Sequence, residues 1–218
     1  MFFKKIISSN KFKNFAIISF LLFIFILINV FSYVSAISNN LSDSVFRLHV
    51  IANSNSVSDQ ALKYLVRDNV LEFVNSTYLA NNKEELINSL DLDSIREIAQ
   101  NTVYDNGYAY PVSVELGNFE FPTKSYGDIS LPAGFYDALR IKIGNAEGQN
   151  WWCVMFPPLC FVDVSSGIVP NSSKEILEET LDKEGFELIS EDSSEIRFKF
   201  KIIEFFHNIS IELAALTK

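Results

Sequence analysis

The chain has 218 residues and a formal net charge of −9, with 18 Lys and Arg against 27 Asp and Glu. This length is enough for one domain of ordinary size with additional segments at its ends. An acidic surface repels phosphate backbones, so the composition argues against a nucleic-acid-binding role. We therefore expect a single main domain with no nucleic-acid partner.

The amino terminus has the pattern of an export signal. Basic residues in MFFKKIISSNKFK precede an apolar run from Phe15 to Phe31, in which only Ser19 and Asn29 are polar. The lysines ahead of the run should stay in the cytoplasm while the remainder is translocated. The small residues at 34–36, VSA, form a cleavage pattern with Ala36 as the last residue removed. Because the run approaches the roughly 20 residues needed to span a bilayer, an uncleaved membrane anchor is the alternative.

Four segments follow from the composition along the chain. Residues 1–36 are predicted to be the signal peptide or anchor, and residues 37–44, rich in Ser and Asn, a linker. Residues 45–163 contain the regular apolar patterns and form the predicted core domain. Residues 164–218 are predicted to be a helical C-terminal segment of uncertain packing.

The core domain begins with a strand and a capped helix. The run VFRLHVI at 45–51 alternates, which predicts two sets of side chains on opposite faces: Phe46, Leu48 and Val50, and Arg47 and His49. Ser56 and Asp59 then have the capping-box spacing ahead of a helical pattern. The predicted helix has an apolar stripe formed by Leu62, Leu65, Val66, Val70, Phe73, Val74 and Thr77. Its opposite side carries Lys63, Arg67, Asp68 and Glu72.

The loop from Asn53 to Asp59 connects a strand to a helix amino terminus. An anion or a carbonyl group could dock in such a place. The favoured interpretation is capping alone, with Asn53, Ser56 and Asp59 as the loop and cap residues.

Two helices and three strands follow. We expect a short helix from Lys83 to Leu90 and a longer one from Leu92 to about Asn106, capped by Asp91 and ended by Gly107. Period-two patterns beginning at Tyr110, at Phe135 and at Trp151 then predict three strands in an antiparallel meander. The expected fold is α+β, with one mixed, mainly antiparallel sheet of about four strands, helices packed on one face and a helical tail.

One of the two adjacent tryptophans must face the polar side of this sheet. Side chains in a strand alternate, which predicts two sets: Trp152, Val154 and Phe156, and Trp151, Cys153 and Met155. The other strands carry a polar face with Arg47, His49, Ser113, Glu115, Arg140 and Lys142. Either the C-terminal tail covers this tryptophan, or the residue is exposed and marks an interface, because aromatic residues beside Arg are typical of binding hot spots.

Cys153 and Cys160 allow three interpretations. Their spacing of seven does not fit a C-x-x-C redox site, and two Cys with two scattered His do not fit a zinc site. A disulfide suits an even cysteine count in an exported chain and is favoured over two free thiols. Closing this loop should stabilise the fold by about 2.5 kcal/mol in the chain-entropy model. We expect no metal and no cofactor.

Two alternative functions use the same region. A thiol hydrolase would pair Cys153 or Cys160 with His49, but neither cysteine is at an evident helix start. A wall-binding module would use an exposed tryptophan on the sheet. The catalytic sequence motifs of common hydrolases and nucleotide-binding proteins are missing from the sequence.

Three blocks of the sequence resemble the stage II sporulation protein R family of endospore-forming Firmicutes. They are RLHVIANSNSVSDQALKYLVRDNVLEF, YPVSVELGNFEFPTKSYGDISLPAGFYDALRIKIG and NWWCVMFPPLCFVD. The resemblance covers Arg47 to Asp163, with lower similarity around 78–104. Asn55 departs from the family's H-V-I-A-N-S-D-S stretch, where an aspartate is expected.

The resemblance implies a developmental signal and not an enzyme. Such proteins are exported from the forespore into the space between the two membranes, or remain anchored at the outer face of the forespore membrane. There they activate a membrane-embedded aspartic protease of the mother cell, which processes a pro-sigma factor. We expect the partner-binding residues to be Trp151, Trp152, Phe156, Pro157, Pro158, Phe161, Arg47 and His49.

Overall fold

A computed structural model describes residues 10–160, 169, 171–181, 183–190, 201 and 204–205. The helices are α1 Asn10–Ser44, α2 Val57–Thr77, α3 Lys83–Ser89, α4 Leu92–Asp105, α5 Asn171–Thr180 and α6 Lys183–Ser190. The strands are β1 Phe46–Ile51, β2 Val112–Phe121, β3 Lys124–Tyr126, β4 Ile129–Leu131, β5 Gly134–Ile143 and β6 Asn150–Phe156.

Four strands form one mixed sheet in the order β2-β5-β1-β6, and β3 and β4 form a separate hairpin. β1 is parallel to β5, whereas the β1–β6 and β2–β5 pairs are antiparallel. The α+β class and the mixed, mainly antiparallel sheet of four strands are confirmed. Helices α5 and α6 lie in the predicted helical segment at 164–218, and most other residues of that segment lie outside the described ones.

Local capping sets the helix limits. The Ser56 hydroxyl accepts a hydrogen bond from Asp59 N at 3.1 Å and is the N-cap of α2. The Asp91 carboxylate accepts from the first turn of α4. Gly107, with a φ of 81°, follows the end of α4 in the left-handed region that glycine adopts without steric cost. Helices α2 and α4 therefore start or stop where a side chain or a glycine accommodates the terminal backbone groups.

Both faces of the sheet are covered. The front face, which carries Leu48 and Val50 of β1, packs against α2 and α4. The back face carries Val154, and its core includes side chains from the end of α1, the β3–β4 hairpin, α5 and α6: Leu41, Ile129, Leu131, Leu177 and Ile189. The predicted separation of Leu48 and Val50 from Arg47 and His49 is therefore correct, and the back face is also a core.

Two side chains of α2 differ from the predicted stripe. Lys63 was expected to point away but is 1% exposed, and Leu65 was expected inside but is 44% exposed. Lys63 is buried because its ammonium group finds acceptors there: Nζ donates to Gln60 Oε1 at 2.6 Å and to the Gln149 carbonyl at 3.2 Å. Burial lowers the pKa of Lys63, and nearby Arg67 lowers it further. The aliphatic stem of Lys63 thus replaces Leu65 in the interior.

The predicted meander is wrong, because β1 lies between β5 and β6. The connection at 144–149 crosses the C-terminal end of β1, where Gly148 N donates to Ala52 O at 2.9 Å. The side-chain oxygens of Asn53 and Asn55 accept from Asn145 N at 3.0 Å and Gln149 N at 2.8 Å. These bonds hold the crossing in place, and the amide of Asn55 makes its bond without a carboxylate charge.

Helix α1 continues without a break from the apolar segment into the domain. It contains the only described segment that is long and apolar enough to cross a membrane. The predicted linker at 37–44 is helical, and Leu41 within it is fully buried. Lys83 Nζ donates to Ser42 O at 2.9 Å and pairs with Asp137 at 2.7 Å, which attaches the end of α1 to the domain. Ala36, the predicted cleavage residue, is exposed within this helix.

The crossing at 144–149 should be sensitive to added volume at one position. A Cβ on Gly148 would lie 2.3 Å from the Ser54 carbonyl oxygen, which is backbone and cannot move aside cheaply. We expect Gly148→Ala to lower the free energy of unfolding by about 2–4 kcal/mol in urea titrations. Ala146→Gly in the same loop is the matched control. Ala146 has a φ of 55°, which glycine adopts without steric cost. This control should stay within about 1 kcal/mol of wild type; equal losses in both variants would contradict the steric explanation.

Candidate functional site

Trp152 is the tryptophan on the back face of the sheet. Its ring stacks on His49 with centroids 3.6 Å apart and meets the Phe121 ring edge-on at 4.7 Å. His49 Nε2 shares a hydrogen bond of 2.8 Å with Asn150 Oδ1. The register pairs Trp152 with His49 across β6 and β1, so strand pairing itself creates the stack. Trp152 is half-buried and keeps part of its surface for a partner.

Arg47 lies beside this stack in an aromatic cage. Its guanidinium carbon is 4.1 Å from the Phe121 ring centroid and 4.7 Å from that of Tyr136. Nη2 donates to Tyr126 Oη at 2.7 Å. Burial raises the pKa of Tyr126, and the Arg47 charge acts in the opposite direction. Arg47 is 0% exposed and forms no ion pair with the described residues, so ring faces and one phenol surround its charge.

Trp151 lies on the front face, against α2. Its ring meets Tyr64 edge-on at 5.4 Å, and the Arg67 guanidinium carbon lies 4.3 Å from its centroid. Arg67 also pairs with Asp68 at 2.6 Å. Tyr64 and Arg67 are three residues apart on a helix and therefore share one side of α2. The two tryptophans thus flank β6 from opposite faces, as the strand alternation predicts.

A cleft of about 630 Å³ opens along β6. Its floor is formed by the β6 residues 150–153, and its walls are formed by one side of α2 and by the β3–β4 hairpin. We call it the edge cleft; its lining residues are Tyr64, Arg67, Asp68, Lys124, Ser125, Tyr126, Gly127, Asn150, Trp151, Trp152, Cys153, Leu159 and Cys160. This volume is in the range of pockets that hold a ligand or a short peptide segment.

Cys153 and Cys160 form a disulfide, with Cα atoms 5.2 Å apart. The bridge ties the middle of β6 to the turn that follows the strand, at the margin of the edge cleft. Cys153 pairs with Leu48 and points to the front face, whereas His49 points to the back face. A thiol–imidazole pair of Cys153 and His49 is therefore not formed, which removes the geometry that the hydrolase alternative needs.

The Asn53–Asp59 loop is occupied by its own hydrogen bonds. Asp59 Oδ2 accepts from Ser54 Oγ at 2.6 Å and from Asn53 Nδ2 at 2.8 Å. These bonds, the one from Ser54 first, lower the pKa of Asp59. Asn53 and Ser56 have the further partners described above, so the arrangement is that of a cap and a loop clamp.

Some of the predicted partner-binding residues lie at the surface, and others are buried beneath it. Arg47 and His49 are buried, as are Phe156 and Pro157, whereas Pro158 is exposed and the two tryptophans are half-buried. Phe161 lies outside the described residues. Phe156 was expected on the side of Trp152 but joins the front-face core, because the register shifts between Phe46 and Arg47 and inserts one residue in β6.

Four residues of the site were not singled out from the sequence: Tyr64, Arg67, Tyr126 and Phe121. A usable pattern existed for two of them, since Tyr64 and Arg67 are an aromatic–cation pair at i, i+3 on an otherwise exposed helix side. Tyr126 belongs to the β3–β4 hairpin, and no local pattern in the sequence places it beside Trp152.

Fold and site together define a small α+β domain, carried on an apolar N-terminal helix, with an aromatic cleft at a sheet edge. A family model described as stage II sporulation protein R matches residues 42–166. The Bacillus subtilis (strain 168) protein named stage II sporulation protein R is 38% identical over 156 residues, covering 70% of this chain and 68% of that protein. No solved structure matches the chain significantly.

The chain belongs to the stage II sporulation protein R family. This membership supports a role in sporulation, and the apolar α1 is compatible with a signal peptide or a membrane anchor.

The buried His49 should make the fold sensitive to acid. Burial lowers the pKa of His49 from 6.5 to about 4; the Asn150 hydrogen bond opposes this, and Arg140, Lys142 and Arg47 lower it further. Since the folded-state pKa lies below the unfolded value, protonation favours the unfolded chain. The free energy of unfolding should be unaffected above 6.5 and should fall as pH drops from 6.5 to about 4. Urea titrations of His49→Gln should show a smaller fall; an equal fall in both proteins would contradict this origin.

The disulfide should contribute through the unfolded chain. We expect the double variant Cys153→Ala/Cys160→Ala to lose about 2.5 kcal/mol of unfolding free energy. Denaturant titrations with and without dithiothreitol measure this. Reductant should lower the wild-type midpoint and leave the variant unchanged, and a wild-type midpoint that ignores reductant would refute the prediction.

Proposed function

We propose that this protein is an exported signal of endospore formation, which binds and activates a membrane-embedded aspartic protease of the mother cell. The activated protease then processes a pro-sigma factor. Membership of the stage II sporulation protein R family over residues 42–166 is the observation that carries this proposal. We place the protein in the space between the forespore and mother-cell membranes, either free or held by α1 at the outer face of the forespore membrane.

The edge cleft supports recognition of a protein partner. Tryptophan and arginine are the residue types that dominate binding hot spots, and Trp151, Trp152 and Arg67 line one cleft. The buried His49 stacks on Trp152, and Tyr64 meets Trp151 edge-on, so both ring positions are fixed before a partner arrives. A pre-formed surface of this kind loses less conformational entropy on binding than a mobile one.

Activation by binding sets an energetic requirement. A protein ligand changes the protease only if it binds the active state more tightly than the inactive state. Moving a protease from about 1% to about 99% active takes roughly 10⁴-fold tighter binding to the active state, or about 5.5 kcal/mol. A few hot-spot contacts of 2 kcal/mol or more, made only with the active state, are enough to supply this difference.

The thiol-hydrolase alternative has no support in the geometry, since both cysteines are in the disulfide and Cys153 and His49 are on opposite faces. A wall-binding role has no specific observation in its favour. Both alternatives give outcomes that the following experiment separates.

The proposal is tested by reconstitution. The full chain is added to proteoliposomes that hold the protease and its pro-sigma substrate, and processing is followed on gels. Wild-type protein should start processing, and Trp151→Ala and Trp152→Ala should each lower it by at least about tenfold. Tyr104→Ala, an exposed aromatic of α4 outside the edge cleft, is the matched control and should act like wild type. Circular dichroism checks that each variant folds.

The outcomes separate cleanly. If wild-type chain leaves the protease inactive, the proposed function is wrong. If the two folded tryptophan variants activate fully, the function stands and the surface assignment is wrong. Hydrolysis of a substrate by the chain without protease, or retention on peptidoglycan without protease, would favour one of the alternatives.

A further inference from the structure

We infer that the outer edge of β6, with which no described strand pairs, accepts an extended, acidic segment of the partner protease as an added strand. This inference rests on the proposed function and specifies how the partner is held. In strand addition, main-chain hydrogen bonds supply affinity and side-chain pockets on alternating positions supply specificity.

No described strand pairs with the outer edge of β6. β6 is the last strand of the order β2-β5-β1-β6. The Val154 carbonyl already points outward, because it accepts from Leu159 N at 3.0 Å. Backbone groups of a strand alternate between its two edges, so those of Trp152 also point outward and those of Trp151 and Cys153 point to β1. Consistent with this, the Trp152 carbonyl takes a hydrogen bond of 3.3 Å from Tyr126 Oη, outside the sheet.

The side-chain packing also indicates that the backbone groups of Trp152 point away from β1. Directly opposed residues whose backbones do not bond to each other bring their side chains closest. His49 and Trp152 are opposed and stack at 3.6 Å, as expected for such a pair. The Trp152 N–H therefore faces the edge cleft, and no described residue supplies an acceptor for it.

The walls of the edge cleft suit one added strand better than a second copy of the domain. An added strand would lie about 4.8 Å from β6, between the side of α2 that carries Tyr64 and the hairpin that carries Tyr126. These walls stand on both faces of the edge and would obstruct the sheet of another copy. A single extended peptide fits between them, with its side chains directed alternately to Trp151 and to Trp152.

Charge in the cleft favours an acidic segment. The chain as a whole is strongly negative, yet Arg67 and Lys124 line the cleft against one carboxylate, Asp68. Lys124 has no ion-pair partner in the part of the chain that is described. Trp151 Nε1 is also buried next to Arg67, and no residue that the structure describes accepts its hydrogen bond. A carboxylate on the α2 side of the incoming strand would accept hydrogen bonds from Trp151 Nε1 and Arg67. A second carboxylate near Lys124 would pair with its ammonium group.

The two tryptophans allow a direct test. Full-length chain labelled with ¹⁵N-tryptophan has two backbone amide resonances, because it contains 2 Trp. In the free chain, Trp152 N–H should exchange with deuterium fast and Trp151 N–H, bonded to β1, slowly. Adding an inactive variant of the protease in detergent should slow Trp152 exchange by about tenfold or more and leave Trp151 nearly unchanged. A Trp151→Phe variant assigns the two resonances.

Reversing the charge of Lys124 tests the inference in a second, independent experiment. Lys124→Glu should weaken binding to the same protease by about tenfold, with a smaller effect at high salt. Arg96→Glu, on α4 and outside the cleft lining, is the matched control for net charge and should bind like wild type. Overlapping synthetic peptides from the extracytoplasmic parts of the protease should include an acidic one that competes.

The results separate this inference from the function on which it rests. If the protease is activated but Trp152 exchange and the Lys124→Glu affinity are unchanged, strand addition is wrong and the function stands. If Trp152 becomes protected with rising chain concentration and no protease, the edge binds a second copy and the inference is wrong. If the chain neither binds nor activates the protease, both proposals fall together.

Discussion

The position of β1 between β5 and β6 is the constraint on which the rest of the molecule depends. Because β1 takes the central place, β6 becomes an edge strand and the chain must cross the end of β1 to reach it. Asn53 and Asn55 hold that crossing with hydrogen bonds to its backbone, and Gly148 lets the two segments approach closely. The edge cleft and the edge of β6 with which no described strand pairs both follow from this one placement.

A second consequence of that position is a back face that is both charged and buried. Arg47 of β1 lies under the hairpin with aromatic rings on its guanidinium, and Nε and Nη1 find no hydrogen-bond partner among the described residues. Burying a charge this way is costly unless ring faces and polar groups replace water. Tyr126 does part of this by accepting from Arg47 while donating to the Trp152 carbonyl. The support of Trp152 and the neutralising environment of Arg47 are thus built from the same side chains.

Much of the fold could be predicted because its causes are local. Ser56 and Asp91 set helix starts through hydrogen bonds within one turn, and alternation in β1 sorted Arg47 from Leu48 correctly. Strand order could not be read this way, since β1 meets β6 across a hundred residues of chain, and a meander satisfies the same alternation. The burial of Lys63 depends on the distant Gln149 carbonyl, and the cage of Arg47 depends on Tyr126. For the site, the tryptophans and the disulfide pair were accessible from sequence, whereas the walls of the cleft came from segments that only the tertiary fold brings together.

The joint between α1 and the domain also has a mechanical meaning. Only Val45, itself fully buried, separates the last residue of α1 from β1, and Lys83 pins the final turn of the helix to β5 through Asp137. This connection contains no flexible linker, so a continuous helix of about 50 Å leads directly into the sheet. In a chain that keeps its apolar segment, the tilt of α1 in the membrane would set the orientation of the sheet edge. Because helix tilt depends on bilayer thickness, that thickness would influence how the domain is presented to its receptor.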